Sequence, residues 1–132
     1  DMRSHRPSTS GNMVRPCDGE AWQQFDKDFP LFSGDPRNVR LVFAMDDFTR
    51  CLNAAPYSCW PVFASPLNLP PGKLLKKEYI FLSLVIPGPE HPGNKLSVLM
   101  QPLVDELMEL WEGRQTWDAS LKQNFPMRAA YL

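Results

Sequence analysis

A chain of 132 residues with 43% hydrophobic and 22% charged residues has the length and composition of one ordinary globular domain. A formal net charge of −1 gives no overall electrostatic case for a nucleic-acid partner, although a metal-dependent nuclease site is itself acidic and would not register as basic excess. Cys17, Cys51 and Cys59 lack C-x-x-C spacing and only His5 and His91 are present, which favours free thiols of a reducing compartment over disulfides or a tetrahedral zinc site. There is no signal-peptide pattern, and no apolar run is long enough to span a bilayer.

Asp1 to Met13 is polar and aperiodic, and is expected to be a disordered or extended entry segment. The remaining residues, 14–132, read as one domain. Asp18 can cap a short helix whose apolar stripe is Ala21, Trp22 and Phe25, and Pro30 should end it by Asp28. Trp22 reads as a packing anchor. Ser33-Gly34-Asp35-Pro36 is a turn by composition.

The run Asn38 to Phe48 follows. Val39, Leu41, Val42 and Phe43 suit a strand buried on both faces, in the middle of a mixed or parallel sheet. It closes on two adjacent carboxylates, Asp46 and Asp47. These are either the polar start of a loop or, at a strand's end, ligands for a divalent cation.

Thr49 to Pro56 is expected to be a loop, and Tyr57 to Ser65 a second strand. Pro61 lacks a ladder donor, so that strand should lie at an edge or be bulged. Leu67 to Gly72 is an extended connector. Lys73 to Lys77 is a small basic patch, readable as a phosphate contact or, preferably, as a solvated strand entry. Tyr79 to Ile86 is the most apolar run and should be a central strand, closed by Pro87-Gly88-Pro89.

Leu99, Met100, Leu103, Val104, Leu107, Leu110 and Trp111 then recur at three and four, predicting a helix. Gln101 as cap with Pro102 at the first helical position is preferred over Ser97 as cap, and Gly113 is a natural stop. Asp105, Glu106, Glu109 and Glu112 fit a solvated face. Arg114 to Asn124 reads as a polar loop, and Met127 to Leu132 as the opening of another strand.

The predicted class is α/β: a mixed sheet of three strands plus the start of a fourth, reached through a crossover helix. With carboxylates at the end of its first, central strand, this is the skeleton of an incomplete ribonuclease-H-like fold. Both ends of the chain look cut.

The segments Asp18-Gly-Glu-Ala-Trp22, Asp35-Pro-Arg-Asn-Val-Arg-Leu41, Pro56-Tyr-Ser-Cys-Trp-Pro-Val62, Asn68-Leu-Pro-Pro71 and Ile86-Pro-Gly-Pro89 occur in order, as do Gln101-Pro-Leu-Val-Asp-Glu-Leu107, Glu109-Leu-Trp-Glu112, Asp118-Ala-Ser120 and Met127-Arg-Ala-Ala130. Together they resemble the catalytic region of plant CACTA (En/Spm-like) DNA transposases, the transposase-21 family, over roughly Met13 to Leu132. The resemblance implies the first half of a ribonuclease-H-like catalytic domain with a DDE mechanism, in which acidic residues hold two divalent ions, usually Mg²⁺.

It further implies a nuclear enzyme acting on DNA at transposon ends. The family's Asp-Gly-Phe motif maps onto Asp46-Asp47-Phe48, so Asp46 inherits the catalytic and metal-ligand role, with Asp47 beside it as a second metal candidate. Asp47 stands where the family has glycine, and Thr49-Arg50-Cys51-Leu52 where it has Asn-Pro-Phe-Gly. The family's later acids lie beyond Leu132, so the chain alone is expected to be inactive and to self-associate through an apolar strand edge. A decayed or host-adopted remnant that binds DNA or protein without cutting is the alternative. Asp105 and Glu106 are the other acids considered as ligands; Asp18, Asp35 and Asp118 are explained as caps and turn formers.

Overall fold

A computed structural model describes residues 13–52, 55–88 and 91–132. The expected entry segment, apart from Met13, lies outside the described residues. Helix α1 spans Glu20–Asp28 and a second short helix, α2, spans Pro30–Ser33. Phe29 lies between them with φ −125° and ψ 65°, since a residue before proline avoids helical geometry and Pro30 is suited to open the next helix. Asp18 does not cap α1, whose cap is Gly19. Its carboxylate instead accepts from the Val14 and Arg15 amides, each at 2.9 Å, and so closes the preceding tight turn.

The sheet contains β1 (Val39–Met45), β2 (Phe48–Leu52), β3 (Ala55–Pro66), β4 (Phe81–Pro87) and, after the helices, β7 (Ala129–Tyr131). Strand β1 pairs antiparallel with β3 and parallel with β7, so the first strand is central, as expected. The segment expected as a loop after Asp47 is strand β2, which also pairs with β3. Met45 faces Val62 and Phe48 faces Cys59, so both strands advance three residues across the gap and the register is unbroken. β1 and β2 are therefore one long arm of a ribbon, interrupted at Asp46-Asp47.

Two strand positions differ from expectation. The strand carrying Pro61 is interior, paired on both sides, and the most apolar run, β4, pairs only with β3 among the described residues. By register, Pro61 lies opposite Asp46, where the β1–β2 ladder is interrupted. That interruption removes the demand for the N–H that proline lacks. A bulge between Val62 and Phe63 in the pairing with β4 takes up the remaining irregularity, and Ser83 Oγ donates to the Val62 carbonyl there at 2.9 Å. Gly88 continues past β4 so close to the Ser58 carbonyl that a Cβ would sit 1.8 Å from its oxygen.

Helices α3 (Leu96–Leu99) and α4 (Gln101–Glu112) cross over toward β7. Met100 is the cap of α4, one residue ahead of expectation, and the Gln101 side chain donates to Asp105 at 2.7 Å. Gly113 ends α4 at φ 111°, a conformation that favours glycine. The expected polar loop is instead a hairpin, β5 (Arg114–Asp118) and β6 (Gln123–Met127). Phe125 is buried beneath it, with the Arg37 guanidinium 3.9 Å from its ring centre.

Asp118 forms the hairpin's turn. Its carboxylate accepts from the Ser120 hydroxyl at 2.7 Å and the Ser120 and Leu121 amides at 2.9 and 3.2 Å, and it pairs with Arg37 at 3.4 Å. Asp35 likewise forms its turn, accepting from the Arg37 amide at 2.9 Å and pairing with its guanidinium at 2.7 Å. The turn-forming roles expected of both residues hold.

One face of the sheet buries Leu41, Val62, Ala64, Trp60 and Ile86. On the other face Arg40, in the middle of β1 and 1% exposed, packs under α1 and α2. It pairs with Asp26 and lies 4.2 Å from the Trp22 ring centre, 5.2 Å from Phe32 and 5.6 Å from Phe25, so its charge is met by one carboxylate and three aromatic rings. Trp22 is the packing anchor expected, and its indole N–H donates to Asp26 at 3.1 Å. Phe25, Phe29, Phe32 and Trp111 form a ring cluster that ties these helices to the end of α4.

Asn38 joins the parts. Its Nδ2 donates to the Phe32 carbonyl at 2.8 Å and its Oδ1 accepts from the Arg128 amide at 2.9 Å, all within the core. Replacing it, Asn38→Leu, leaves a carbonyl and an N–H without their side-chain partner, and should cost roughly 2–4 kcal/mol in urea unfolding; a loss well under 1 kcal/mol would refute the assignment.

Asp118 supplies a pH test. The Ser120 hydroxyl, then the turn amides and Arg37, hold its carboxyl down to about 2. Its folded value lies below the unfolded one of about 3.9, so the stabilisation is complete above the unfolded value and is lost as pH falls from about 4 toward 2. Asp118→Asn should flatten the acid limb of the stability curve in that window, as read by denaturant titration at each pH.

Candidate active site

The ladder break at Asp46-Asp47 is the site that the sequence singles out. Both carboxylates are exposed, as are Ala44 and Met45 just before them, whereas Arg40 and Leu41 earlier in the same strand are buried. The Asp47 amide donates to Asp46 Oδ1 at 2.9 Å, which orients the first carboxylate with a neutral backbone group. No ion pair to Asp46 or Asp47 is present among the described residues. Since the register runs unbroken through the gap, strand alternation sets Asp46 with Ala44 and Phe48 on one face and Asp47 with Met45 on the other.

The two sides of this position differ. β3 flanks it on one side, with Pro61 and Trp60 opposite the pair. On the other side the parallel pairing with β7 runs from Val39–Ala129 to Leu41–Tyr131, five residues short of Asp46. The flank toward β7 is the one on which further ligands could approach.

Mg²⁺ favours several oxygen ligands in near-octahedral geometry. Among the described residues no group of three or more His, Cys, Asp or Glu is gathered where it could hold a metal ion. Asp46 and Asp47 are the right donor type but do not by themselves make the set that two ions require. Asp105 and Glu106 are exposed on α4 and are not gathered with them. Cys17 and Cys59 are free thiols, and burial pushes the Cys17 thiol up from its ordinary value, which keeps it protonated and unreactive.

Sequence reasoning missed the surroundings of Asp46. A groove of about 620 Å³ lies on its face of the sheet, with Val42, Ala44 and Phe63 as floor and Leu75, Lys77 and Ile80 as wall. The alternation of Val42, Ala44 and Asp46 carried that signal, but only once β1 and β2 are recognised as one continuous arm. Among the described residues no helix is long and apolar enough to cross a membrane.

The sequence pattern of the family described as Transposase family tnp2 matches residues 10–132. No curated protein and no solved structure matches the chain. The match spans the whole sheet, both crossover helices and the Asp46 position, and the family implies DNA as the partner. The chain belongs to the tnp2 family of transposases.

Proposed function

We propose that this chain carries the first part of the catalytic domain of a CACTA (En/Spm-like) DNA transposase, of plant origin and acting in the nucleus. In this reading the enzyme cuts and joins DNA by DDE chemistry with Mg²⁺ as cofactor. The observation that supports it is Asp46: an exposed carboxylate directly after the central strand, at a ladder break, which the resemblance to the family aligns with the first position of its Asp-Gly-Phe motif. Asp46 is the first metal ligand, and Asp47 beside it is the second candidate. Divalent ions held there would activate the attacking oxygen and stabilise the leaving one in an in-line displacement at phosphorus.

The chain's own contribution is to fix the height and direction of Asp46. Continuing the parallel β1–β7 register by five residues from the Leu41–Tyr131 pair would bring a side chain level with Asp46. In a longer chain, that position is where the second acid of the trio belongs. The 132 residues alone would bring too few ligands and cut nothing. A second reading, a remnant that binds DNA without cutting it, is favoured by Asp47 standing in the place of the family's glycine.

Cleavage of element-end DNA by a complete version of the protein decides between them. Mg²⁺-dependent nicking should fall roughly a thousandfold in Asp46→Asn, about 4 kcal/mol of transition-state stabilisation. Equal rates in parent and variant would remove Asp46 from the chemistry, and no metal-dependent nicking by the parent would favour the remnant.

Self-association of the isolated chain belongs to the same proposal. Val104, Met108 and Phe29 are exposed around an apolar groove of about 700 Å³ that runs beside Ala130 and Tyr131. Exposed apolar surface next to a strand edge favours pairing between copies. Sedimentation velocity should show concentration-dependent oligomers; a single monomeric boundary at all concentrations would contradict this.

A further inference from the structure

The loop joining β3 to β4 is solvated at its lysines and leads into β4, as preferred from sequence. It is a chain of tight turns, in which the Lys73 amide donates to the Pro70 carbonyl at 3.1 Å, Lys76 to Lys73 at 3.3 Å and Tyr79 to Lys76 at 2.8 Å. Leu75, between them, has φ 57°, a region that branched side chains rarely enter, and is 61% exposed. Strain of that kind persists where surrounding structure enforces it, and it often marks a binding surface. Lys73, Lys76 and Lys77 are all exposed, and none makes an ion pair among the described residues. In a chain of net charge −1, three cations stand within five positions with no acid among them.

The loop lies over the sheet face that carries Asp46. Leu75 and Lys77 wall the groove whose floor includes Ala44, and Asp46 follows Ala44 by two residues on the same face, about 7 Å along the strand. Phe48, 57% exposed, is the next side chain on that face, and Phe63, 36% exposed, sits opposite Ala44. Lys77 on the rim, with Lys73 and Lys76 exposed in the same loop, and the Phe63 ring on the floor supply the two components by which unpaired nucleic acid is held: charges for the backbone and a ring face for the bases. Bases within a duplex are already stacked and could not use those rings.

We propose that this groove holds a single strand of DNA, with its phosphates on Lys73, Lys76 and Lys77 and its bases against Phe63 and Phe48, leading the backbone past Asp46. The proposal rests on the DNA-transposase reading and adds to it the surface and the strandedness of the substrate.

Fluorescence anisotropy of a labelled oligothymidine of about twenty nucleotides, titrated with the 132-residue chain in EDTA over roughly 50–200 mM salt, tests it. The triple variant Lys73→Gln, Lys76→Gln, Lys77→Gln alters only exposed side chains and should keep the parent's thermal melt. It should bind at least about tenfold more weakly at low salt, with the slope of log K against log salt reduced by about two. Phe48→Ala should weaken binding roughly 5- to 100-fold. Asp46→Asn should tighten it a few-fold in EDTA, since a carboxylate beside the backbone repels it.

A triple variant with the parent's affinity and salt slope would overturn the proposal. So would retained DNA binding together with lost binding to polyglutamate, which would assign the loop to an acidic protein segment. Absence of oligothymidine binding by the parent would also overturn it, while the metal-dependent nicking assay on the complete protein would still judge the transposase reading separately.

Discussion

The fold depends on the Asn38 side chain, which is 2% exposed and satisfied at both ends of its amide. One end fixes where α2 stops and the other fixes the parallel approach of β7. Its own carbonyl accepts from Asn68 at 2.9 Å, and the Asn68 Oδ1 accepts from the Arg40 amide at 2.7 Å, so a second amide secures β1 to the end of β3. Two asparagines, Asn38 buried and Asn68 half-buried, thus set the level of β1 against both neighbours. Because register in a sheet comes in steps of whole residues, setting that level at Asn38 also sets it at Asp46.

Arg40 has a different part. A guanidinium buried in the centre of a sheet is costly unless its charge is met. Asp26, Trp22, Phe25 and Phe32 meet it, which obliges α1 and α2 to cover the first half of that sheet face. The second half, from Val42 onward, is left to the lysine-bearing loop. The division between a closed half and an open half of one sheet face therefore falls between Arg40 and Asp46, and the open half is the one that holds the carboxylate.

Much of this was legible in the sequence. The central position of β1, the end of α1 at Asp28, the stop at Gly113, the turns at Asp35 and Asp118 and the strand after Met127 all follow from local chemistry that tertiary contacts do not override. What was not legible depended on partners distant in sequence. Pro61 argued for an edge, but the ladder opposite it is broken at Asp46, so an interior strand tolerates it. The apolar run of β4 argued for the centre, yet composition reports preference for extended structure and not rank within a sheet. The hairpin after Gly113 was hidden because its sequence is polar and its single buried ring, Phe125, is held by Arg37 from a turn far upstream.

The distance in sequence between Asn38 and Arg128, ninety residues, has a consequence for biogenesis. During synthesis the β1–β3–β4 meander and its two leading helices emerge long before β7, and closing so large a loop is among the slowest contributions to folding. Until Arg128 leaves the ribosome, the Asn38 side-chain Oδ1 has water in place of its partner and one flank of β1 is bare. The nascent chain thus passes through a stage in which its central strand is an edge, and chaperone dependence should be concentrated in that interval.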